Sequence, residues 1–314
     1  MANLQTQPTG SPVSTKPFSS SRWMVVNGDD FGFSSGVNRA IIDAHDRGIL
    51  TSTSLMVTGD AFEEAVELAK KRPNLAVGLH LVLTCGRSVL PASQIPHLVD
   101  DCGNFSNQPN LTGWRYQFSR AAQQEIPLEI RAQLEKFYQT GLPLSHVDGH
   151  LHLHLHPVVL RHLVKLAPTF QIRFIRLPWE ELNITLEVDR SDLWTKLVWF
   201  CVFTGLCRYG KRLLKANGIQ SVDRVYGLLQ SGRMTEDYLL KLIPKIQAER
   251  VEIYSHPAIA IAEEPSNAPL GLGPAELEAL LSDRVRELLK QQGFTLTNYS
   301  EQRIAIDASL PAQP

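Results

Sequence analysis

The chain has 314 residues, a formal net charge of -1 and 43% hydrophobic residues, which is ample to bury a core. The balanced charge excludes nucleic acid as the main partner, because phosphate binding calls for a basic surplus. The four cysteines, Cys85, Cys102, Cys201 and Cys207, form no C-x-x-C pair and read as reduced thiols of a cytoplasmic protein without a disulfide framework.

Residues 1–22 are polar, rich in Ser, Thr and Pro, and lack the apolar core of a secretion signal; they read as a disordered tail, as do residues 304–314. Between them, residues 23–303 read as one domain with no linker to split it. "WMVVN" (23–27) is a buried strand, followed by a helix capped by Ser34 or Ser35 and ended by Gly48. A strand over 50–58, a helix over 60–72 and a strand over 75–83 come next. Residues 85–125 are rich in Pro, Gly and Asn and read as a long loop, and such loops are usually functional or mobile. The remaining elements are a helix over 127–141, a strand over 144–150, a helix over 157–167 and a strand over 172–178. A strongly apolar helix or helix pair over 192–217 precedes a weaker strand at 221–228. A helix (235–247), a strand (251–257), a helix (273–293) and a strand (294–300) complete the chain.

Strands that alternate with helices imply a parallel sheet and an α/β fold. No G-x-G-x-x-G follows the first strand, so a dinucleotide-binding fold lacks its phosphate loop. The better fit is a single TIM-like (β/α) barrel with parallel strands, with room for a distorted or incomplete ring.

In such barrels the chemistry gathers where strands end. The first strand ends in Asn27-Gly28-Asp29-Asp30, the third carries His80, and the fourth ends in Asp148-Gly149-His150. Arg176 lies on the fifth, and the seventh ends in Ser255-His256-Pro257. Adjacent carboxylates repel unless a cation sits between them, so the Asp pair is either a turn signal or one ligand beside one base. The run "HVDGHLHLHLHP" (146–157) cannot place all its histidines on one ion, because a strand advances about 3.3 Å per residue. His150 falls at the rim. His152 and His154 lie in the turn beyond, as pocket lining or as support for the ligands, while His156 and His162 read as surface or hydrogen-bonding residues. Asp30, His80 and His150 together make a two-histidine, one-carboxylate set that leaves coordination positions open. Histidine suits zinc, and the carboxylate and open positions also admit magnesium or manganese.

The motifs "VVNGDDFGFSSGVNRAI", "GILTSTSLMV", "VGLHLVLTCGRSVLP", "SHVDGHLHLH", "IRLPWE" and "IYSHPA", in this order, resemble the YdjC-like carbohydrate deacetylases over about residues 23–300. "LVDDCGNF" and "VYGLLQSGRMT" carry a closer similarity to the hopanoid biosynthesis-associated (HpnK) branch. The resemblance implies a TIM-like barrel and a divalent metal ion, Mg2+ or Zn2+, held by Asp30, His80 and His150. It implies Asp29 as catalytic base and His256 as general acid. Arg176 orients Asp29 or forms a structural ion pair, and Asp148 fixes a histidine tautomer. The expected activity is removal of an N-acetyl group from an acetylated amino sugar. The expected substrate is an N-acetylglucosaminyl lipid of hopanoid type, with soluble chitooligosaccharides as the alternative. A metal-dependent phosphoesterase and a non-catalytic sugar- or lipid-binding protein are the rival readings.

No uncharged apolar run reaches the roughly 20 residues that span a bilayer. Residues 193–214, whose apolar run 197–207 is flanked by Lys196, Arg208, Lys211 and Arg212, read either as a packed outer helix or as a peripheral contact with the inner membrane face that admits a glycolipid.

Overall fold

The computed structural model describes residues 22–261, 264 and 271–299. Both expected tails lie outside this range except Arg22, which opens the first strand rather than closing the tail. The final strand expected at 294–300 reaches beyond the described residues at its last position.

The elements, in chain order, are β1 (Arg22–Phe31), α1 (Ser35–Arg47), β2 (Ser52–Leu55), α2 (Phe62–Lys70) and β3 (Ala76–Leu81). Then come α3 (Pro109–Phe118), α4 (Arg120–Gln139), β4 (Leu144–Gly149), a 3-10 turn (His150–Leu155) and α5 (Pro157–Leu166). After α6 (Leu182–Val188) and α7 (Leu193–Ala216) the chain returns through β5 (Arg224–Tyr226), α8 (Glu236–Leu242) and β6 (Arg250–Ser255). It ends with α9 (Gly273–Leu281), α10 (Asp283–Gln291) and β7 (Phe294–Leu296).

The sheet runs β4-β3-β2-β1-β6-β5, and every pairing is parallel. β6 lies along one edge of β1, and β7 and β2 share the other, β7 at Arg22–Met24 and β2 from Asn27 onward. Parallel bridges Val147–Ile175 and Phe174–Gln220 lace β4 to the segment leading into β5. The result is the expected barrel in distorted form, a curled parallel sheet whose ring is completed by single rungs.

The expected strand at 172–178 is therefore only a two-residue rung. Its backbone exchanges bonds with Val147 and Gln220, and Pro178, which has no N–H, cannot continue a ladder. The long loop at 85–125 is also corrected, since α3 and the first residues of α4 occupy its second half. Pro127 lies inside α4 rather than at its start, because Ser119 is the cap and its Oγ accepts from the Ala122 N–H at 3.2 Å. The single helix expected over 273–293 is two, divided at Ser282, whose Oγ accepts from Val285 N–H at 3.2 Å. At α1 the expected cap holds: Ser34 accepts from Val37 N–H, and Gly48 follows the last turn.

Packing divides in two. A large apolar cluster fills the space between sheet and helices, with Met24, Leu79 and Val147 among its strand residues. A smaller one, including Val25, Phe174, Val225, Tyr254 and Tyr299, occupies the opposite strand faces. Those faces continue toward the strand ends as Asn27 and Asp29 on β1, and as Glu252 beside Tyr254 on β6, all buried. The barrel interior thus grows polar toward the strand ends, with Glu252 already level with Val25 and Val225.

Candidate metal centre

The polar layer begins at a break in β1. Pairing with β2 shifts register between Gly28 and Phe31, and Asp30 takes a left-handed backbone with φ of 66°. Neighbouring strand residues normally face opposite ways. The irregularity breaks that alternation and lets Asp29 and Asp30 both serve one interior.

β3 and β4 supply the next groups. His80 and Asp148 are register partners, and His80 Nδ1 lies 2.8 Å from Asp148 Oδ1. His80 Nε2 faces Asp30 Oδ1 at 3.1 Å. His150, the first residue after β4, brings Nδ1 to 3.0 Å from the same Asp30 oxygen. One donor atom each from Asp30, His80 and His150 therefore lie within 4.8 Å of one another. The three residues that the sequence singled out as ligands do meet. Nitrogen, nitrogen and carboxylate oxygen converge from three strands, with a carboxylate behind His80 that fixes its tautomer, and this donor set fits a divalent cation.

The electrostatics agree with that geometry. Burial alone would raise the Asp30 carboxyl, but His150 and His80 outweigh it and hold it well below the usual carboxylate range. Burial alone would lower His80, but Asp148 and Asp30 outweigh it and push it well above an ordinary histidine. Asp148 is likewise held low against burial, by Arg176 and His80.

Arg176 is 1% exposed and organises the layer beneath. Its guanidinium grips Asp29 through two bonds of 2.7 and 2.8 Å, reaches Asp148 at 2.8 Å, and donates to Glu252. Asn27 Nδ2 adds a bond of 2.8 Å to Asp29. Both sequence readings of Arg176 thus describe the same contacts, for the ion pair is also what orients Asp29. Around this core, His154 Nε2 meets the Arg176 carbonyl at 3.0 Å, and His152 Nε2 meets Tyr254 Oη at 2.8 Å. These two histidines brace the wall and do not face the ion position. Leu151 and His152 have φ of 50° and 55°, so the run is not extended and its even positions share no face. His156 caps α5, accepting from Val158 N–H. His256 lies just past β6 with its ring edge-on to Tyr254 at 5.8 Å and its backbone N–H bonded to Glu276.

Sequence reasoning placed Asn27 at a strand end without a role and missed Glu252, Tyr254, Glu276 and Tyr299. For two of them a signal existed. Glu252, Tyr254 and His256 alternate along β6, so the face that delivers His256 also delivers the other two. Glu276 and Tyr299 lie on other elements, and no local pattern points to them.

Fold and site together define a (β/α)-barrel protein with a buried Asp/His cluster, fit for a divalent cation, at the strand ends. A model of the family described as YdjC-like protein matches residues 24–291, and the chain belongs to that family. Among curated relatives, a carbohydrate deacetylase of Vibrio parahaemolyticus is 32% identical over 280 residues, 88% of this chain and 95% of that one. Carbohydrate deacetylase 2 of Listeria innocua is 32% identical over 282 residues, 88% and 98% of the two chains. A carbohydrate deacetylase of Brevibacillus brevis is 46% identical over 157 residues, a match that spans 50% of this chain and 59% of that protein. A crystal structure from Enterococcus faecalis V583, provisionally described as a cellobiose-phosphate cleavage protein, superposes with a TM-score of 0.71 at 26% identity, over 91% of this chain and 100% of that one.

Proposed function

We propose that the protein is a metal-dependent carbohydrate N-deacetylase, a hydrolase that frees the amine of an acetylated amino sugar. The observation that carries this reading is the convergence of Asp30, His80 and His150 beside an Asp29 carboxylate clamped by Arg176. Relatives named carbohydrate deacetylase over nearly their whole length support it.

Asp30, His80 and His150 would hold the cation, Mg2+ or Zn2+, and Asp148 would set the His80 ring with Nε2 free to ligate. A bound divalent cation supplies Lewis acidity to the amide carbonyl and makes water more acidic. Asp29 receives the proton of the attacking water. Arg176 and Asn27, with Ser54 Oγ donating at 3.4 Å, leave the carboxylate no freedom to turn; three of these four bonds fall on Oδ1, and Oδ2, with Arg176 as its one partner, is the oxygen that takes the proton. His256 returns a proton to the departing nitrogen. Arg176 itself is out of reach of substrate, and its part is to hold Asp29 in register.

The substrate we favour is an N-acetylglucosaminyl lipid of hopanoid type. Its support is a cleft of about 390 Å³ that starts at Leu151, next to His150, and is lined by Trp199, Leu228 and Leu229 with Lys196 and Gln230. Lys196 belongs to this wall and not to a basic flank, since it is 4% exposed and paired to Asp189 at 3.1 Å. A soluble chitooligosaccharide is the second reading, favoured by the open groove of about 720 Å³ lined by polar side chains such as Arg87, Asn104, Ser106 and Arg115. The test is acetate release from metal-loaded protein offered N-acetylated glycolipids and chitooligosaccharides in parallel, with phosphate esters as control. Acetate from either sugar class bears the reading out, and phosphate release alone overturns it.

A further inference from the structure

Twelve large hydrophobic side chains are exposed among the described residues, and nine of them fall in three places: three on α3, one in the 3-10 turn and five on α7. On α3, Leu111, Trp114 and Phe118 form one stripe at spacings of three and four, with Trp114 65% and Phe118 70% exposed and their rings stacked at 5.5 Å. On α7, Trp194 is 80% exposed and Val198 59% exposed. Trp194 and Val198 lie on a face that continues through Cys201 and Gly205 to Arg208 and Arg212, all exposed.

Both helices flank the mouth of the site. Each packs on the 3-10 turn that begins with His150. Tyr116 of α3 sets its ring edge to His156 at 6.3 Å, and Phe203 of α7 does the same to His152 at 5.6 Å. Their charge is one-sided. The chain carries 32 acidic residues, yet neither helix contains one, while α7 has Arg208, Lys211, Arg212 and Lys215 exposed and α3 has Arg115. Apolar residues that protrude, with Arg115 beside them on α3 and a basic C-terminal half on α7, complement an anionic lipid surface, and the one carboxylate at the start of α7, Asp192, is paired with Arg233 at 2.7 Å.

We propose that α3 and α7 form a two-pronged docking surface for an anionic bilayer, which sets the catalytic mouth against the membrane. This rests on the deacetylase reading only for what the mouth does, because the docking itself follows from the surface. It supplies α3 as a partner to α7, and it makes a substrate anchored in that bilayer the one the site meets.

The experiment is cosedimentation of the full chain with phosphatidylcholine vesicles, with and without phosphatidylglycerol. We expect binding to the anionic vesicles that weakens as salt is raised. The pair Trp114→Glu/Phe118→Glu and the pair Trp194→Glu/Val198→Glu should each lower partitioning by about tenfold or more. Arg208→Ser/Arg212→Ser should erase the preference for the anionic vesicles. Circular dichroism and turnover of a soluble N-acetylated oligosaccharide report folding, and both should be unchanged in all three variants. Absence of vesicle binding by the parent chain overturns the proposal, as does unchanged partitioning of the α3 pair. So does a dimer that the same Glu substitutions split, which would mean that a second copy covers this face. Vesicle binding without acetate release from any substrate would sink the deacetylase reading and leave the docking surface standing.

Discussion

Asp30 is one of six non-glycine residues with a left-handed backbone among the described residues. A left-handed backbone at a non-glycine residue costs of order 1–3 kcal/mol, and here it aims a carboxylate at two imidazoles. The neighbouring Asp29 is held by a different set of partners, so the two acids separate experimentally. Asp29→Asn should keep cation binding by calorimetry and lose about 10²- to 10⁴-fold in turnover. Asp148→Asn should instead weaken cation binding itself, about 10- to 100-fold, because the His80 tautomer is no longer enforced. A third residue has a consequence for stability. Burial pushes His154 from 6.5 down to about 4. The unfolded chain therefore binds a proton in that window and the folded chain does not, so folding stability falls as pH drops from 6.5 toward 4, by about 3 kcal/mol in total. Urea unfolding at pH 7 and pH 5 should show a smaller loss in His154→Gln than in the parent chain.

At the scale of elements, the caps explain where the chain divides. Ser282 accepts from Val285 N–H and donates to Glu236 at 2.6 Å, so one hydroxyl starts α10 and ties it to α8. Ser282→Ala should cost about 1 kcal/mol, read as a lower urea midpoint with unchanged slope. "LLSDRVREL" carried that signal, a Ser-Asp cap before a periodic run, but the long apolar repeat on either side concealed it. α3 was hidden for the opposite reason. Its apolar stripe faces outward and only Thr112 and Tyr116 are buried, so there was no core-facing rhythm to find. The strand ends were legible because a buried strand has little reason to finish in Asp, His or Asp-Gly-His unless the end is a site. What the histidine run does after His150 was not legible, since two left-handed residues in succession depend on contacts with α5, α7 and the wall rather than on local preference.

For the whole molecule, alternation of strand and helix was enough to specify a parallel barrel, and closure of the ring was not. The closing rung at 172–178 has little ladder of its own, and Arg176 fastens it by reaching Asp29 on β1, Asp148 on β4 and Glu252 on β6. Arg176→Ala would strand three buried carboxylates. It should cost about 3–5 kcal/mol in urea unfolding, more than the loss of a single surface ion pair. The same contacts position the proposed base, so stability and turnover should fall together there, whereas Asp29→Asn lowers turnover while leaving the clamp an acceptor.

β7 pairs with the opening residues of β1, joining Arg22 to Phe294 across nearly the full described chain. During translation that edge of β1 waits on the order of tens of seconds for its partner to leave the ribosome. A nascent chain halted before Phe294 would therefore leave only the β7-facing edge of Arg22–Met24 unprotected in hydrogen exchange, while Trp23 N–H, bonded to the Glu249 carbonyl at 2.8 Å on the other edge, stays protected.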